Sequence, residues 1–188
     1  MEICELRQSL LDCQGHALVL GGPGSGKTTI ALKKADVRIN AGLGAGQSVL
    51  FLSFSRAAVA RLGEAMKQEV PKAQRSQLSM QTFHSFFWTM LSAHGYLLGA
   101  PRKLRILLPQ DEQVEYGAIR PRERNVQNAD WRAWLTRREA MFRQDGRIAF
   151  DLFARNAEAL LNQSQHIRRL ITQRHPLIIV DEAQDTDA

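Results

Sequence analysis

Residues 21–28 read GGPGSGKT, and Asp181 and Glu182 directly follow the apolar run LIIV at 177–180. The first stretch fits G-x-x-x-x-G-K-[ST] in full, the spacing of a loop that wraps phosphate oxygens in backbone N–H groups. Glycines are needed there because side chains would obstruct amides that turn inward. A helix starting at the end of the loop adds partial positive charge. In such a loop Lys27 reaches the β and γ phosphates and the Thr28 hydroxyl ligates Mg²⁺. Hydrolysis also needs an acidic component: Asp181 to hold the metal through its water shell, and Glu182 to orient and deprotonate the attacking water. ATP and Mg²⁺ are the expected ligands. Each feature has a plainer reading, a glycine-rich turn with an incidental lysine or a strand ending in an acidic turn. Their presence in one chain favours a shared site.

The elements that must position these groups are legible as apolar runs. Strands are expected at 17–20 (ALVL), 48–54 (SVLFLSF), 78–83 (LSMQTF) and 177–180 (LIIV), with helices from Thr28 to Asn40, from Ser55 to Pro71 and over HSFFWTMLSAHGYLL at 84–98. Apolar strands alternating with helices predict an α/β fold, a parallel sheet covered on both faces. Between 100 and 174 the pattern changes to Arg-rich amphipathic segments without a convincing strand, read as a mainly helical insertion. The expected organisation is therefore 1–99, the first part of the nucleotide-binding domain, 100–174, the insertion, and 175–188, the return to the sheet. Basic clusters RPRER (120–124) and TRRE (136–139) alternate with Glu123, Asp130 and Glu139. They fit either a surface that tracks a nucleic-acid backbone or a solvated helical face. Trp131 and Trp134, three apart, share a helical face and are expected in a core.

Bulk properties set outer limits. A chain of 188 residues with 44% hydrophobic and 23% charged residues is an ordinary globular composition, with room for one domain and an insertion. The formal charge of +6 favours a polyanionic partner. Cys4 and Cys13 stand outside any C-x-x-C spacing, which suits free thiols in a reducing compartment. The first residues, MEICELRQSL, lack a secretory pattern, and no apolar run approaches the ~20 residues of a membrane span. A cytoplasmic protein without a membrane partner is expected.

Four stretches in order resemble the motifs of UvrD/Rep-like superfamily 1 DNA helicases: GGPGSGKTT at 21–29, LFLSFSRAAVARL at 50–62, TFHSFF at 82–87 and DEAQDT at 181–186. They cover about 1–95 and 170–188. The resemblance implies a RecA-like P-loop NTPase domain with a helical subdomain inserted in it, acting as an ATP-dependent DNA helicase. Gly22, Gly24, Ser25, Gly26, Lys27, Thr28 and Thr29 would contact the nucleotide. Gln8 stands where the family's adenine-reading glutamine is found, with Gln14 as the alternative. Gln184 would couple the nucleotide site to DNA. Ser53, Phe54, Ser55, Thr82 and His84 would meet single-stranded DNA, Phe54 by stacking on a base. Phe54 has core packing as its competing role, and His84 a purely structural one.

The same resemblance implies that the sheet is incomplete, because the family places a further strand between the phosphate-loop strand and the Asp-Glu strand. A second RecA-like domain would supply arginines to the transferred phosphoryl group, so this stretch alone is not expected to unwind DNA. The expected partners are single-stranded DNA or a single/double-strand junction, and the C-terminal helicase domain. A P-loop switch or scaffold without motor activity is the alternative class. A small-molecule kinase explains neither TFHS nor DEAQDT.

Overall fold

A computed structural model of the chain describes residues 4–22 and 24–181. The chain forms two units: residues up to Phe83 together with those from Arg169 onward, and His84–Arg168.

The first unit is built on β1 (Val49–Ser53), whose five residues are all buried. β1 lies between β2 (Leu78–Thr82) and β5 (Ile178–Val180), parallel to both. Parallel neighbours require a crossover, supplied between β1 and β2 by α3 (Arg56–Glu69). Side chains alternate across a strand, so Val49 and Phe51 share a face. That face packs with Leu32, Ala35 and Ile39 of α2 (Lys27–Asn40) and Leu62 of α3. Met80 and Ile179, in register with Phe51, extend this core onto the flanking strands. The other face carries Leu50 and Leu52, also buried.

The expected strand at 17–20 does not form. These residues have no regular structure, and Leu18 and Leu20 are 77% and 84% exposed. An apolar run becomes a strand only where a neighbour satisfies its N–H and C=O groups, and no described strand pairs with this one. Full coverage of each strand is likewise confined to β1. β2 is half-buried, and Ile178 and Val180 of β5 are 40% and 39% exposed.

The opposite ends of β1 and β5 are tied by side chains remote in sequence. His175, 8% exposed, has Nδ1 3.1 Å from Ser48 Oγ and 3.2 Å from the Ser48 carbonyl. Gln47 Nε2 donates to the Gln173 carbonyl at 2.7 Å. Burial pushes the His175 imidazole below its ordinary 6.5, and the Arg174 charge adds to the shift against the pull of the Ser48 carbonyl. The unfolded chain therefore takes up this proton more readily. The contribution is fully present above pH 6.5 and is lost as pH falls from there toward the folded value. Protection factors of the Ser48 and Leu50 amides, which donate to Arg174 and Leu177, should fall below pH 6.5 once the slower intrinsic exchange at lower pH is corrected for. The expected slope is up to about tenfold per pH unit, and His175→Gln should flatten it.

The second unit contains α4 (Phe83–His94, starting at the last residue of the sheet unit), α5 (Pro109–Tyr116), α6 (Ala129–Gln144) and α7 (Phe153–Gln163). α8 (Gln165–Arg174) leads back to β5. It also holds β3 (Arg105–Leu107) paired in parallel with β4 (Arg147–Ala149), which corrects the expectation of an insertion without strands. Each strand has only three residues, too short for a period-two pattern to register. Trp134 is buried and Trp131 half-buried, with ring centroids 5.6 and 5.5 Å from Tyr116, the core role expected of them. Arg138 lies between the Glu112 carboxylate and Asp151, donating to Asp151 Oδ2 at 2.8 Å.

Candidate functional site

The stretch 21–28 runs into α2 at Lys27, the helix start that the sequence leads one to expect. Gly24 and Gly26 have φ of +75° and +82°, values that side chains rarely tolerate. At Gly21 an added Cβ would come within 2.6 Å of Ser25 Oγ. Lys27 Nζ donates to the carbonyls of Gly21 and Gly22 at 2.7 and 3.1 Å, so the ammonium is drawn over the loop rather than into solvent. Thr28 and Thr29 follow in the first turn of α2, half-buried. Pro23 lies outside the described residues.

Sequence reasoning passed over Arg7 and Lys34, of which Arg7 contacts the loop. Arg7, on α1 (Glu5–Asp12), donates from Nη2 to the Ser25 carbonyl at 3.1 Å. Lys34 of α2 donates to the Leu11 and Cys13 carbonyls at 2.6 and 2.5 Å, closing the C-terminal end of α1. Gln8 follows Arg7 on α1, and its Nε2 donates to Asp12 at 3.1 and 3.2 Å from the two oxygens. Of these, only the Gln8–Asp12 spacing of four residues was a legible signal. Isolated basic residues such as Arg7 and Lys34 give none. Gln14 is exposed, with Nε2 3.4 Å from the Asp12 carbonyl.

The sheet brings a second group together at the C-terminal ends of its strands. Ser53 pairs with Thr82 in register, and the Asp181 amide donates to the Leu52 carbonyl at 2.9 Å. Ser53 is buried, whereas Ser55 is exposed and caps α3, its Oγ accepting from the Ala58 amide at 3.0 Å. Half-buried Phe54 lies with its ring centroid 4.7 Å from Phe83. His84 is exposed in the helical unit, with Phe150 and Phe153 centroids at 6.4 and 6.3 Å. The TFHS stretch is thus divided, with Thr82 in β2 and His84 in α4. Glu182 and Gln184 lie outside the described residues.

A glycine-rich stretch at a helix start and a small parallel sheet define an α/β protein. The sequence profile of the UvrD/REP helicase N-terminal domain matches residues 4–134, and the chain belongs to that family. It is also similar to DNA helicase II of Haemophilus influenzae, at 30% identity over 123 residues. That match covers 60% of this chain and 17% of the relative, so the chain aligns with under a fifth of that protein's length. No described helix is long and apolar enough to cross a membrane.

Proposed function

We propose that the chain is the ATP-binding, single-strand-contacting N-terminal part of an ATP-dependent DNA helicase, with a RecA-like sheet as its nucleotide-binding frame. The observation that carries this reading is the loop geometry: two glycines at positive φ, a third crowded by Ser25, and Lys27 held above the loop's own carbonyls. A lysine held by neutral acceptors is poised to exchange them for phosphate oxygens, a charge-assisted and stronger interaction. The family, and the relative named as a DNA helicase, supply the reaction class.

In this reading the loop amides from Gly22 to Thr29 hold the phosphates, and Lys27 neutralises charge on them. Thr28 and Asp181 would hold Mg²⁺, which when bound screens the phosphate charge. Glu182 serves as the base for water, and Gln184 relays the state of the nucleotide site to DNA. A helix returning between parallel strands runs opposite to them, which favours the start of α2 and the end of β5 sharing one edge of the sheet. Among the described residues β5 pairs with β1 alone, which supports an additional strand beside it.

For DNA, Phe54 is the proposed base stacker in the sheet unit, with Ser53, Ser55 and Thr82 as phosphate contacts; His84 is proposed by itself as a DNA contact of the helical unit. Phe54→Ala should weaken binding of a single-stranded oligonucleotide about 5- to 150-fold, the equivalent of roughly 1–3 kcal/mol for one stacked base. Titration by fluorescence anisotropy measures it, and unchanged affinity would assign Phe54 to packing on Phe83 alone. The reading as a whole is tested in a longer version that includes the second domain. Single-stranded DNA should strongly stimulate ATP turnover there; turnover indifferent to DNA would instead favour a nucleotide switch.

A further inference from the structure

Asp12 contributes to neither the phosphate loop nor the sheet, and it occupies the last position of α1. A carboxylate there opposes the helix dipole, so helix stability does not account for it. Its described partner is Gln8, whose Nε2 lies 3.1 and 3.2 Å from its two oxygens. An ionised carboxylate only accepts hydrogen bonds, whereas a glutamine amide has one accepting end and one donating end. The contact therefore fixes which way round the amide sits. One N–H is taken by Asp12, leaving the second N–H and the carbonyl oxygen for a ligand.

That remaining donor and acceptor match adenine, which offers N7 as acceptor and the N6 amine as donor on one edge. Guanine offers two acceptors there, N7 and O6, and the glutamine oxygen would be set against O6. We propose that Asp12 is a specificity-determining positioning residue, locking the Gln8 amide in the orientation that selects an adenine over a guanine nucleotide. The proposal rests on the nucleotide-binding reading above and on Gln8 as the base reader. The Arg7–Ser25 bond supports the placement, since it brings the turn of α1 that carries Gln8 against the phosphate loop. Lys34, bonded to the carbonyls on either side of Asp12, steadies the end of the helix where the carboxylate sits.

The test is competition of Mg-ATP and Mg-GTP against a fluorescent ATP analogue, read as the ratio of the two affinities. Gln8→Ala should lower the ATP preference about fivefold or more, the lower end expected for a lost bidentate base contact. Asp12→Asn, nearly isosteric but able to present either a donor or an acceptor, should lower it about threefold or more through a loss of ATP affinity, GTP affinity staying where it was. Asp12→Glu should restore the preference, which a merely structural role for Asp12 would not require. Gln8→Ala combined with Asp12→Asn should be no worse than Gln8→Ala alone. An unchanged ratio in Asp12→Asn, with Gln8→Ala impaired, overturns the role of Asp12. An unchanged ratio in both overturns it along with the assignment of Gln8. Neither result touches the phosphate loop, whose own control is Lys27→Ala; nucleotide binding retained in that variant would remove the foundation of both.

Discussion

Lys27→Ala is expected to abolish measurable Mg-ATP binding, a loss of about a hundredfold or more in affinity. The ammonium bridges two loop carbonyls at 2.7 and 3.1 Å, so its removal affects the site twice. Bound phosphates would lose the Lys27 cation, and the Gly21 and Gly22 carbonyls, acceptors directed at the same space, are left uncompensated. Charge-assisted bonds to anionic oxygen are worth roughly 1.5–3 kcal/mol each, and two such contacts account for a hundredfold change. Isothermal calorimetry on the chain measures it. Lys27→Arg keeps the charge but exchanges a compact ammonium for a planar fork, and should recover little. Binding unaffected by Lys27→Ala would dismiss the loop as the nucleotide site.

The second large effect is expected in the helical unit, at Arg138. Its side chain is 13% exposed and that of Glu112 is 12%, so this pair is largely withdrawn from water, whereas Asp151 remains 64% exposed. The bond to Asp151 is the main reason the guanidinium is held above its usual value, and the same bond keeps the Asp151 carboxyl below the ordinary 3.8. The Asp151 contribution is complete above that pH and declines as the solution is acidified below it. Arg138→Ala strands the Glu112 charge in a shielded position, which costs about 3–5 kcal/mol in comparable buried pairs. Replacing both members by apolar residues, Arg138→Met with Glu112→Leu, should return most of that loss. Trp88, Trp131 and Trp134 are the chain's three tryptophans and all belong to this unit. A urea titration followed by tryptophan fluorescence therefore reports it without interference from the sheet. A midpoint unmoved by Arg138→Ala would show that water reaches Glu112 freely.

How far the sequence anticipated the molecule depended on whether the information was local. The glycine-rich turn that runs into α2 was legible because its glycines and lysine lie within eight consecutive residues. β1 was legible because burial on both faces leaves an uninterrupted apolar run. The stretch at 17–20 has the same character and failed to form a strand, because pairing depends on a neighbour that no local pattern reports. β3 and β4 were missed for the converse reason: RIL and RIA are unremarkable alone and become strands only through each other. The motif TFHS reads as one unit, yet its Thr and His belong to different bodies of the fold. The contacts of Arg7 with the loop and of Lys34 with the end of α1 were hidden because each reaches a backbone carbonyl across 18 to 23 positions.

The pairing of β5 with β1 has a kinetic meaning. β1 and β2 are joined by a short helical crossover and can zip together early. Asp181, by contrast, reaches its place only after Ser48 and His175, 127 positions apart, have found one another. Ring closure over such a span carries an entropic penalty that grows only logarithmically with length, but the search it imposes is slow, as for other contacts remote along the chain. During synthesis the glycine loop would therefore emerge well before Asp181, and β5 can join β1 only after the whole intervening helical unit has been made.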